Sequence, residues 1–308
     1  MPQQTRYARR KPKKGASGSR TWTIVGVAVA LAVVLIIAVT RGLGPKGTST
    51  ASARTPVPAD VMQQLTSVPA ATWDAVGAKS ATPPVMVSAA AATGSASASA
   101  SGSAAATASG TAAAKPTVLY IGAEFCPYCA AERWSMVTAL ARFGTFQGLS
   151  YTNSAANDVY PSTPTFSFYG STYTSSLIDL QAVETTTNVP HGSGYQPLQT
   201  PSAAQQSLFN KYDGPPYFTN GGSIPFILVG GKYAWQGASF SPQTLASTTQ
   251  AAVASQLAAG TSPAAQAILA NANVMTAAVC AVDGGQPGDV CTSAGVKAAA
   301  ATLPTTAK

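Results

Sequence analysis

The stretch Thr117-Val-Leu-Tyr-Ile-Gly-Ala-Glu-Phe-Cys-Pro-Tyr-Cys129 decides the fold that the sequence predicts. Its apolar start, residues 117–121, predicts a buried strand, and the segment from Pro127 to about residue 143 predicts a helix. Cys126 then stands at the helix N-terminus, where unpaired backbone N–H groups and the positive end of the helix dipole stabilise a thiolate. Cys129 follows at a spacing that allows a disulfide, and Pro127 suits the first helical turn.

The spacing of this cysteine pair is also that of zinc ligands and of some structural disulfides. A zinc site would need Cys280 and Cys291, or His191, which is the single histidine of the chain, as its other half. Ten residues separate the two later cysteines, which is not the usual ligand spacing. Redox chemistry is therefore the favoured interpretation, and thiolate exchange requires no metal and no organic cofactor.

The N-terminal region has the pattern of a membrane anchor. The first 20 residues carry seven Lys or Arg and no acid, and residues 22–39 are apolar and uncharged. At ~1.5 Å per residue such a run can cross a hydrocarbon core of ~30 Å, and it is longer than the ~7–15-residue apolar region of a cleaved signal peptide. The basic cluster predicts a cytoplasmic tail over 1–20, a signal anchor over 21–40, and an extracytoplasmic remainder.

Charge is distributed unevenly along the chain. Nine of the 18 Lys and Arg residues lie at or before Lys46, whereas all ten acids lie from Asp60 onward. The net charge of +8 therefore reflects the predicted anchor, and it does not indicate a nucleic-acid surface. An oxidising compartment outside the membrane also suits four cysteines that can form two pairs.

Composition divides the rest of the chain. Residues 41–60 are rich in Gly, Thr, Ser and Pro and predict a spacer, and 61–84 predicts a short segment that packs on the domain. Residues 85–114 are almost entirely Ala, Ser, Gly and Thr, which favours a flexible linker. A folded domain over 115–295 and a tail over 296–308 complete the predicted organisation.

Hydrophobic periodicity predicts the further elements of the domain. The first helix has an apolar face through Ala130, Trp134, Val137 and Ala141. Strands are predicted at 149–152, 165–169 and 177–183, with the last two paired, and a hairpin at 224–235 has Gly230-Gly231 at its turn. Further helices are predicted over 203–211, 242–257 and 268–279.

The run from Ala123 to Cys129 resembles the active-site loop of the thioredoxin superfamily, and its Pro-Tyr dipeptide is similar to that of glutaredoxins. Ile224-Pro225, just before the predicted hairpin, is similar to the cis-proline loop of that superfamily, which lies against the cysteines and presents backbone groups to substrate. The resemblance implies a cis Pro225 that contacts the cysteine pair. It also implies a set of site residues: Cys126 and Cys129 as catalytic, and Pro127, Tyr128, Ile224 and Pro225 as supporting or substrate-binding.

The longer run from Gly122 to Trp134 resembles a family of uncharacterised thioredoxin-like proteins known as DUF929. This resemblance covers about residues 55–295, with an interruption at the Ala/Ser tract. It implies an α/β, thioredoxin-like fold, with a central mixed sheet flanked by helices, behind one N-terminal transmembrane helix. A large insertion at about 145–220 is expected between the Cys-x-x-Cys helix and the Pro225 strand.

The chain departs from thioredoxin six residues before the first cysteine. Tyr120 stands where the superfamily has a buried carboxylate, so the sequence does not identify the group that accepts the proton of Cys129. Glu124 is a minor candidate for this role, because its counterpart in thioredoxin is usually exposed. Glu132 and Arg133, one turn into the helix, are expected to be solvated or helix-pairing charges.

The other two cysteines bracket a turn-rich loop after the last helix. Cys280 and Cys291 are expected to form a structural disulfide that pins the C-terminal tail, and a second redox pair that relays electrons is the alternative. His191 lies in a Gly-rich loop and is expected to be exposed and idle.

These patterns predict a membrane-anchored extracytoplasmic thiol–disulfide oxidoreductase that acts on cysteines of exported proteins. Cys126 would attack as a thiolate and Cys129 would resolve the mixed disulfide. The expected partners are cysteine-containing exported proteins, a membrane or exported redox partner, and the lipid bilayer through residues 21–40, with no nucleic acid. The alternatives are a non-catalytic thioredoxin-like binding module and a carrier of a metal such as copper to an exported oxidase.

Overall fold

The structure, a computed structural model, describes residues 54–79, 81–89 and 114–308. The predicted cytoplasmic tail, the predicted membrane anchor over 21–40, and most of the predicted spacer and linker lie outside the described residues. Within these three ranges, no helix is both long enough and apolar enough to cross a bilayer.

The described chain forms short strands and helices that are numbered here in chain order. The strands are β1 (Thr55–Pro56), β2 (Val85–Met86), β3 (Thr117–Gly122), β4 (Thr145–Gln147), β5 (Ser150–Asn153), β6 (Pro164–Ser167), β7 (Thr172–Thr174), β8 (Asp179–Glu184), β9 (Thr186–His191), β10 (Gly194–Pro197), β11 (Phe226–Val229) and β12 (Tyr233–Gln236). The helices are α1 (Ala59–Thr66), α2 (Ala70–Val76), α3 (Pro127–Leu140), α4 (Ala203–Tyr212), α5 (Gln250–Leu257), α6 (Pro263–Cys280), α7 (Gly288–Cys291) and α8 (Ala294–Ala300), with a 3-10 helix at Pro242–Leu245.

Five strands form a mixed central sheet in the order β2–β12–β11–β3–β8. Successive side chains of β3 point to opposite faces, so Val118 and Tyr120 enter the larger apolar core while Leu119 and Ile121 enter a smaller one. Helices α3 and α6 pack into the larger core and α4 packs into the smaller one, so helices flank both faces. This confirms the predicted α/β class with a mixed central sheet flanked by helices.

The register of the sheet brings distant segments to one edge. In the antiparallel pair of β3 and β11, Ile121 lies opposite Phe226. The chain that continues beyond Ile121 towards the cysteines therefore runs beside the chain that precedes Phe226, which includes Pro225. In the parallel pair of β3 and β8, Gly122 lies opposite Glu184, so β8 ends at the same edge.

Helix α3 is buried on every side from Cys129 to its C-terminus, whereas the sequence predicts one apolar face through Ala130, Trp134 and Val137. It packs against α6 and β6 and also contacts α1 and the 3-10 helix. A helix in such a position has no side that faces solvent. Its polar atoms find partners instead, as where the indole N–H of Trp134 donates to the carbonyl of Pro164 at 2.9 Å.

The segment between α3 and β11 adds outer strands. β5 pairs with β1 and β6, β4 pairs with β7, and β9 pairs with β10. The predicted pairing of residues 177–183 with 165–169 is wrong, because β8 pairs with β3 and β6 pairs with β5. Part of the predicted insertion at 145–220 therefore extends the central sheet rather than standing outside it.

Residues that the sequence assigns to a spacer, a linker and a tail are folded where they can pair or bury apolar groups. Within the predicted spacer 41–60, β1 pairs with β5 and α1 begins. At the start of the predicted linker 85–114, β2 pairs with β12. Within the predicted tail 296–308, the side chain of Val296 is buried in the larger core. Low-complexity composition does not reveal these contacts.

Helices α1 and α2 occupy most of the segment 61–84, which the sequence predicts to pack on the domain. Their buried side chains include Val61, Leu65 and Trp73, and these join the larger apolar core.

The strands β11 and β12 form the predicted hairpin. Gly230 and Gly231 lie at its turn with φ of +56° and +63°, in the left-handed region that favours glycine. The helix predicted over 242–257 is instead a 3-10 helix followed by α5. Between them Ser247 has a positive φ, and Thr249 caps α5 by accepting a hydrogen bond from a backbone N–H of its first turn.

Candidate active site at the Cys126–Cys129 pair

Cys126 is the N-cap residue of α3, and both cysteines of the pair are free thiols. The backbone N–H of Cys129 donates to Cys126 Sγ at 3.4 Å, which is the contact expected for a sulfur at a helix N-terminus. Pro127 occupies the first helical position, where its ring fits and no N–H is required.

The two sulfurs have opposite environments. Cys126 is 6% exposed, and the pKa of its thiol is lowered, chiefly by a hydrogen bond from the Cys129 side chain, with help from the Cys129 amide and the charge of Arg133, against burial. Cys129 is 0% exposed, and burial raises the pKa of its thiol well above the ordinary value. Cys126 is therefore the sulfur that more readily becomes a thiolate.

Ile224, which precedes Pro225, lies at Cys126, as the sheet register predicts. The Cys126 thiol donates to the carbonyl of Ile224 at 3.8 Å, and the Ile224–Pro225 peptide bond is cis. The carbonyl of Pro225 accepts a hydrogen bond from the N–H of Gly237 at 2.8 Å, which ties this loop to the end of β12. The structure thus brings together residues that are about a hundred positions apart in the sequence.

The two aromatic residues next to Cys126 and Cys129 in the sequence each contact a further aromatic side chain. Tyr128 is 41% exposed and meets Tyr160 edge to face, with ring centroids 5.8 Å apart. Phe125 stacks on Tyr195 of the β9–β10 hairpin at 4.3 Å. The loop before β6 and the β9–β10 hairpin therefore supply one aromatic partner each.

The backbone just before Cys126 holds both of these elements in place. The N–H of Glu124 donates to the carbonyl of Thr186 in β9 at 3.0 Å, and the N–H of Ala155 donates to the carbonyl of Phe125 at 2.8 Å. The segment between α3 and β11 is thus anchored directly on the active-site loop.

The Glu124 carboxylate is buried and paired, whereas the sequence comparison with thioredoxin suggests an exposed side chain. Arg54 binds it through two nitrogens, at 2.7 and 3.1 Å, and the Ser167 hydroxyl donates to it as well. Arg54 itself lies over the ring of Tyr169, 4.6 Å from its centroid. Both oxygens of Glu124 are therefore engaged by groups other than the two sulfurs.

The expectation that Glu132 and Arg133 are solvated is wrong, because both side chains are 0% exposed. Arg133 forms an ion pair with Glu184 of β8, in which Nε and Nη2 donate to the two carboxylate oxygens at 2.8 and 2.7 Å. Nη2 also donates to the carbonyl of Ala123 at 2.7 Å. The pair therefore lies directly beneath the loop that carries Cys126.

The carboxyl of Glu132, the neighbouring residue in α3, contacts the segment that follows β12. Its Oε2 atom accepts a hydrogen bond from the N–H of Ser239 at 2.7 Å, and burial raises its pKa to about 7.

A family model described as "Domain of unknown function (DUF929)" matches residues 106–281 of the 308-residue chain. The chain belongs to the DUF929 family. The family that the run from Gly122 to Trp134 predicts is therefore confirmed. No curated protein and no solved structure matches the chain.

The other candidate residues of this DUF929 protein are Cys280, Cys291 and His191. Cys280 and Cys291 form a disulfide that links the end of α6 to α7. His191 ends β9 and is exposed. In the described part of the chain, no group of three or more His, Cys, Asp or Glu side chains is arranged to hold a metal ion.

No local sequence pattern of this DUF929 protein indicates Glu184 or Arg54 as residues of the site. Each is the partner of a charge beside the cysteines, but each lies more than fifty residues away from that charge in the sequence. A local signal exists only for Arg133, which stands four residues after Cys129 in a helix and therefore on the same helical face.

Proposed function

We propose that this DUF929 protein is a thiol–disulfide oxidoreductase in which Cys126 is the nucleophile and Cys129 is the resolving thiol. The observation that carries the proposal is the unequal environment of the two sulfurs. Cys126 caps α3 and has a lowered pKa, whereas Cys129 is fully buried and has a raised pKa. One activated and one shielded thiol are what a two-step exchange needs.

In the reducing direction, the Cys126 thiolate attacks one sulfur of a substrate disulfide, and the other substrate sulfur leaves as a thiolate. Cys129, after losing its proton, then attacks Cys126 Sγ and breaks the mixed disulfide. The substrate leaves as a dithiol, and the protein holds the Cys126–Cys129 disulfide. Two electrons and two protons pass to the substrate, and the oxidising direction is the reverse.

A thioredoxin-like arrangement is part of this proposal. In its favour, the strand that leads into Cys126 lies next to the strand that follows the cis Pro225, and the carbonyl of Ile224 lies at Cys126. A substrate chain that adds beside Ile224 would place its own sulfur at Cys126.

The proposed location is the outer side of the cell membrane. The basic cluster and the apolar run over 21–40 support a signal anchor with a cytoplasmic N-terminus. The disulfide between Cys280 and Cys291 suits an oxidising compartment. The proposed substrates are cysteine-containing exported proteins, with a membrane or exported redox partner that resets the pair.

The proposal is tested with the full chain and a model peptide disulfide. We expect the wild-type protein to exchange with the peptide, the Cys126→Ser variant to be inactive, and the Cys129→Ser variant to accumulate a mixed disulfide at Cys126 that mass spectrometry detects. A matched control replaces Cys280 and Cys291 with Ser and keeps the exchange. A wild-type protein that exchanges no faster than the Cys126→Ser variant would refute the proposal.

A further inference from the structure

The resolving step poses a problem at Cys129. A thiol attacks only as a thiolate, but Cys129 is fully buried and burial raises its pKa well above the ordinary value. Tyr120 is also fully buried, and burial raises the pKa of its hydroxyl well above the ordinary value, so this side chain stays protonated. A buried group that favours the thiolate of Cys129 is therefore needed.

Arg133 is the charged side chain placed to act on this sulfur. It stands one helical turn after Cys129, on the same face of α3, and is 0% exposed. Burial lowers the pKa of Arg133, but the carboxylate of Glu184 raises it, and the resulting pKa is well above the ordinary value. The guanidinium is therefore charged. Its charge lowers the pKa values of both Cys126 and Cys129.

The hydrogen bonds of Arg133 leave one nitrogen unused. Nε and Nη2 bind Glu184, and Nη2 also binds the carbonyl of Ala123. Nη1 is buried, and within the described residues it has no hydrogen-bond partner. The hydroxyl of Tyr120, whose ring centroid is 5.9 Å from the guanidinium carbon, likewise has none there. Buried donors without acceptors are costly, and they favour a negative charge that forms nearby, such as the thiolate of Cys129.

The burial of the Arg133–Glu184 pair is by itself weak evidence that the pair stabilises the fold. Two buried charges lose so much hydration that apolar side chains of similar volume are often at least as stable in their place. Glu184 binds the guanidinium from the end of β8. It lies opposite Gly122, the residue at which β3 leads into the active-site loop. The pair thus holds the guanidinium at the active-site loop, one helical turn from Cys129.

We propose that Arg133, held by Glu184, is the positioning residue that stabilises the Cys129 thiolate while it attacks the mixed disulfide on Cys126. This inference rests on the proposed thiol–disulfide exchange. In the step, a bond forms between the two protein sulfurs, and the bond between Cys126 and the substrate sulfur breaks with its electron pair going to the substrate sulfur. The proton that Cys129 loses passes to solvent, or to the departing sulfur where that sulfur is an alkyl thiolate. Arg133 neither gives nor takes a proton.

The test separates the two exchange steps. Dithiobis(nitrobenzoate), an aromatic disulfide, releases one coloured thiolate when Cys126 attacks it and a second when Cys129 resolves the mixed disulfide. The variant combines Arg133→Met with Glu184→Gln, so that no buried charge is left without a partner. Arg142→Met is the matched control, because Arg142 follows α3 but contacts Asn273 and Trp73 instead of the sulfurs.

We expect the second release of the double variant to be at least about tenfold slower at neutral pH, with a rate profile shifted upwards by about one pH unit or more. Raising the pH should restore the rate, which a merely structural defect would not do. Arg133→Lys, with Glu184 retained, should recover part of the rate because it keeps the charge. The first release should change less, and the Arg142→Met control should match the wild type in both releases.

A second release with the wild-type rate and pH profile in a folded double variant would overturn the role of Arg133. A uniform slowing that high pH does not relieve would overturn it as well, and would indicate a structural role. Failure of the proposed function looks different, because the wild-type protein itself would then give no second release. Circular dichroism of each variant establishes that it is folded.

Discussion

The Oε2 atom of Glu132 accepts a hydrogen bond from the backbone N–H of Ser239 at 2.7 Å, and the carboxyl group is fully buried. Its Oε1 atom has no hydrogen-bond partner in the part of the chain that the structure describes. Ser239 follows Gly237, whose N–H supports the carbonyl of Pro225. Glu132 therefore lies where α3 contacts the segment that supports the Pro225 loop, and its protonation affects that contact.

The first prediction concerns the pH dependence of stability. Burial raises the pKa of Glu132 from 4.5 to about 7, so the folded protein binds this proton more tightly than the unfolded chain. The resulting stabilisation is fully present below pH 4.5 and is lost as the pH rises through about 7. The shift corresponds to about 3 kcal/mol in the free energy of unfolding. Glu132→Gln should remove this decline, as urea unfolding across the pH range would measure.

Asp179→Asn is the matched control, because Asp179 is exposed. It should leave the pH profile unchanged. If the wild-type protein and the Glu132→Gln variant lose stability in parallel between pH 4.5 and about 7, the carboxyl is not protonated in the folded state.

The second prediction concerns the reactivity of the two thiols. Because the pKa of Cys126 is lowered and that of Cys129 is raised, iodoacetamide should label Cys126 at least about tenfold faster at neutral pH. Peptide mapping by mass spectrometry gives the two rates. The rate at Cys126 should also rise with pH around a midpoint below the ordinary value of 9.0. Equal rates at the two sulfurs would contradict the assignment of nucleophile and resolving thiol.

The third prediction concerns the disulfide between Cys280 and Cys291, which links α6 to α7. Replacing both cysteines with Ser should lower the free energy of unfolding by roughly 2–4 kcal/mol, because the unfolded chain gains freedom. Exchange with a model disulfide should persist at the wild-type rate. A folded variant that loses exchange would instead indicate that this pair relays electrons.

How far the sequence predicts the site depends on the distance over which each feature is encoded. The strand into Cys126, the helix after it and the glycine turn of the β11–β12 hairpin follow from local patterns, and the structure contains all three. The burial of Arg133 does not follow, because its partner Glu184 is 51 positions away and lies in a strand whose pairing the sequence predicts wrongly. Charges within a helix are usually solvated, and only tertiary packing reverses that expectation.

The same limit applies at the N-terminal side of the domain, where a spacer is predicted over 41–60. Composition gives no sign that Arg54 pairs with Glu124, 70 positions later, or that β1 pairs with β5. Long-range ion pairs and two-residue strands are determined by the assembled core and not by local periodicity.

The last prediction tests whether Arg54 belongs to the folded domain. Glu124 is buried, and within the described residues its side-chain partners are the cation of Arg54 and the hydroxyl of Ser167. Removal of one partner of such a pair leaves a buried charge uncompensated, but Arg54 is partly exposed and water can replace some of its contacts. Arg54→Met should therefore lower the free energy of unfolding by about 1–3 kcal/mol. Lys115→Met is the control, because Lys115 is exposed and its ammonium binds a single carbonyl, so that its loss should change stability by less than about 0.5 kcal/mol. A double-mutant cycle with Glu124→Gln isolates the coupling energy, and a value near zero would place Arg54 in the spacer that the sequence predicts.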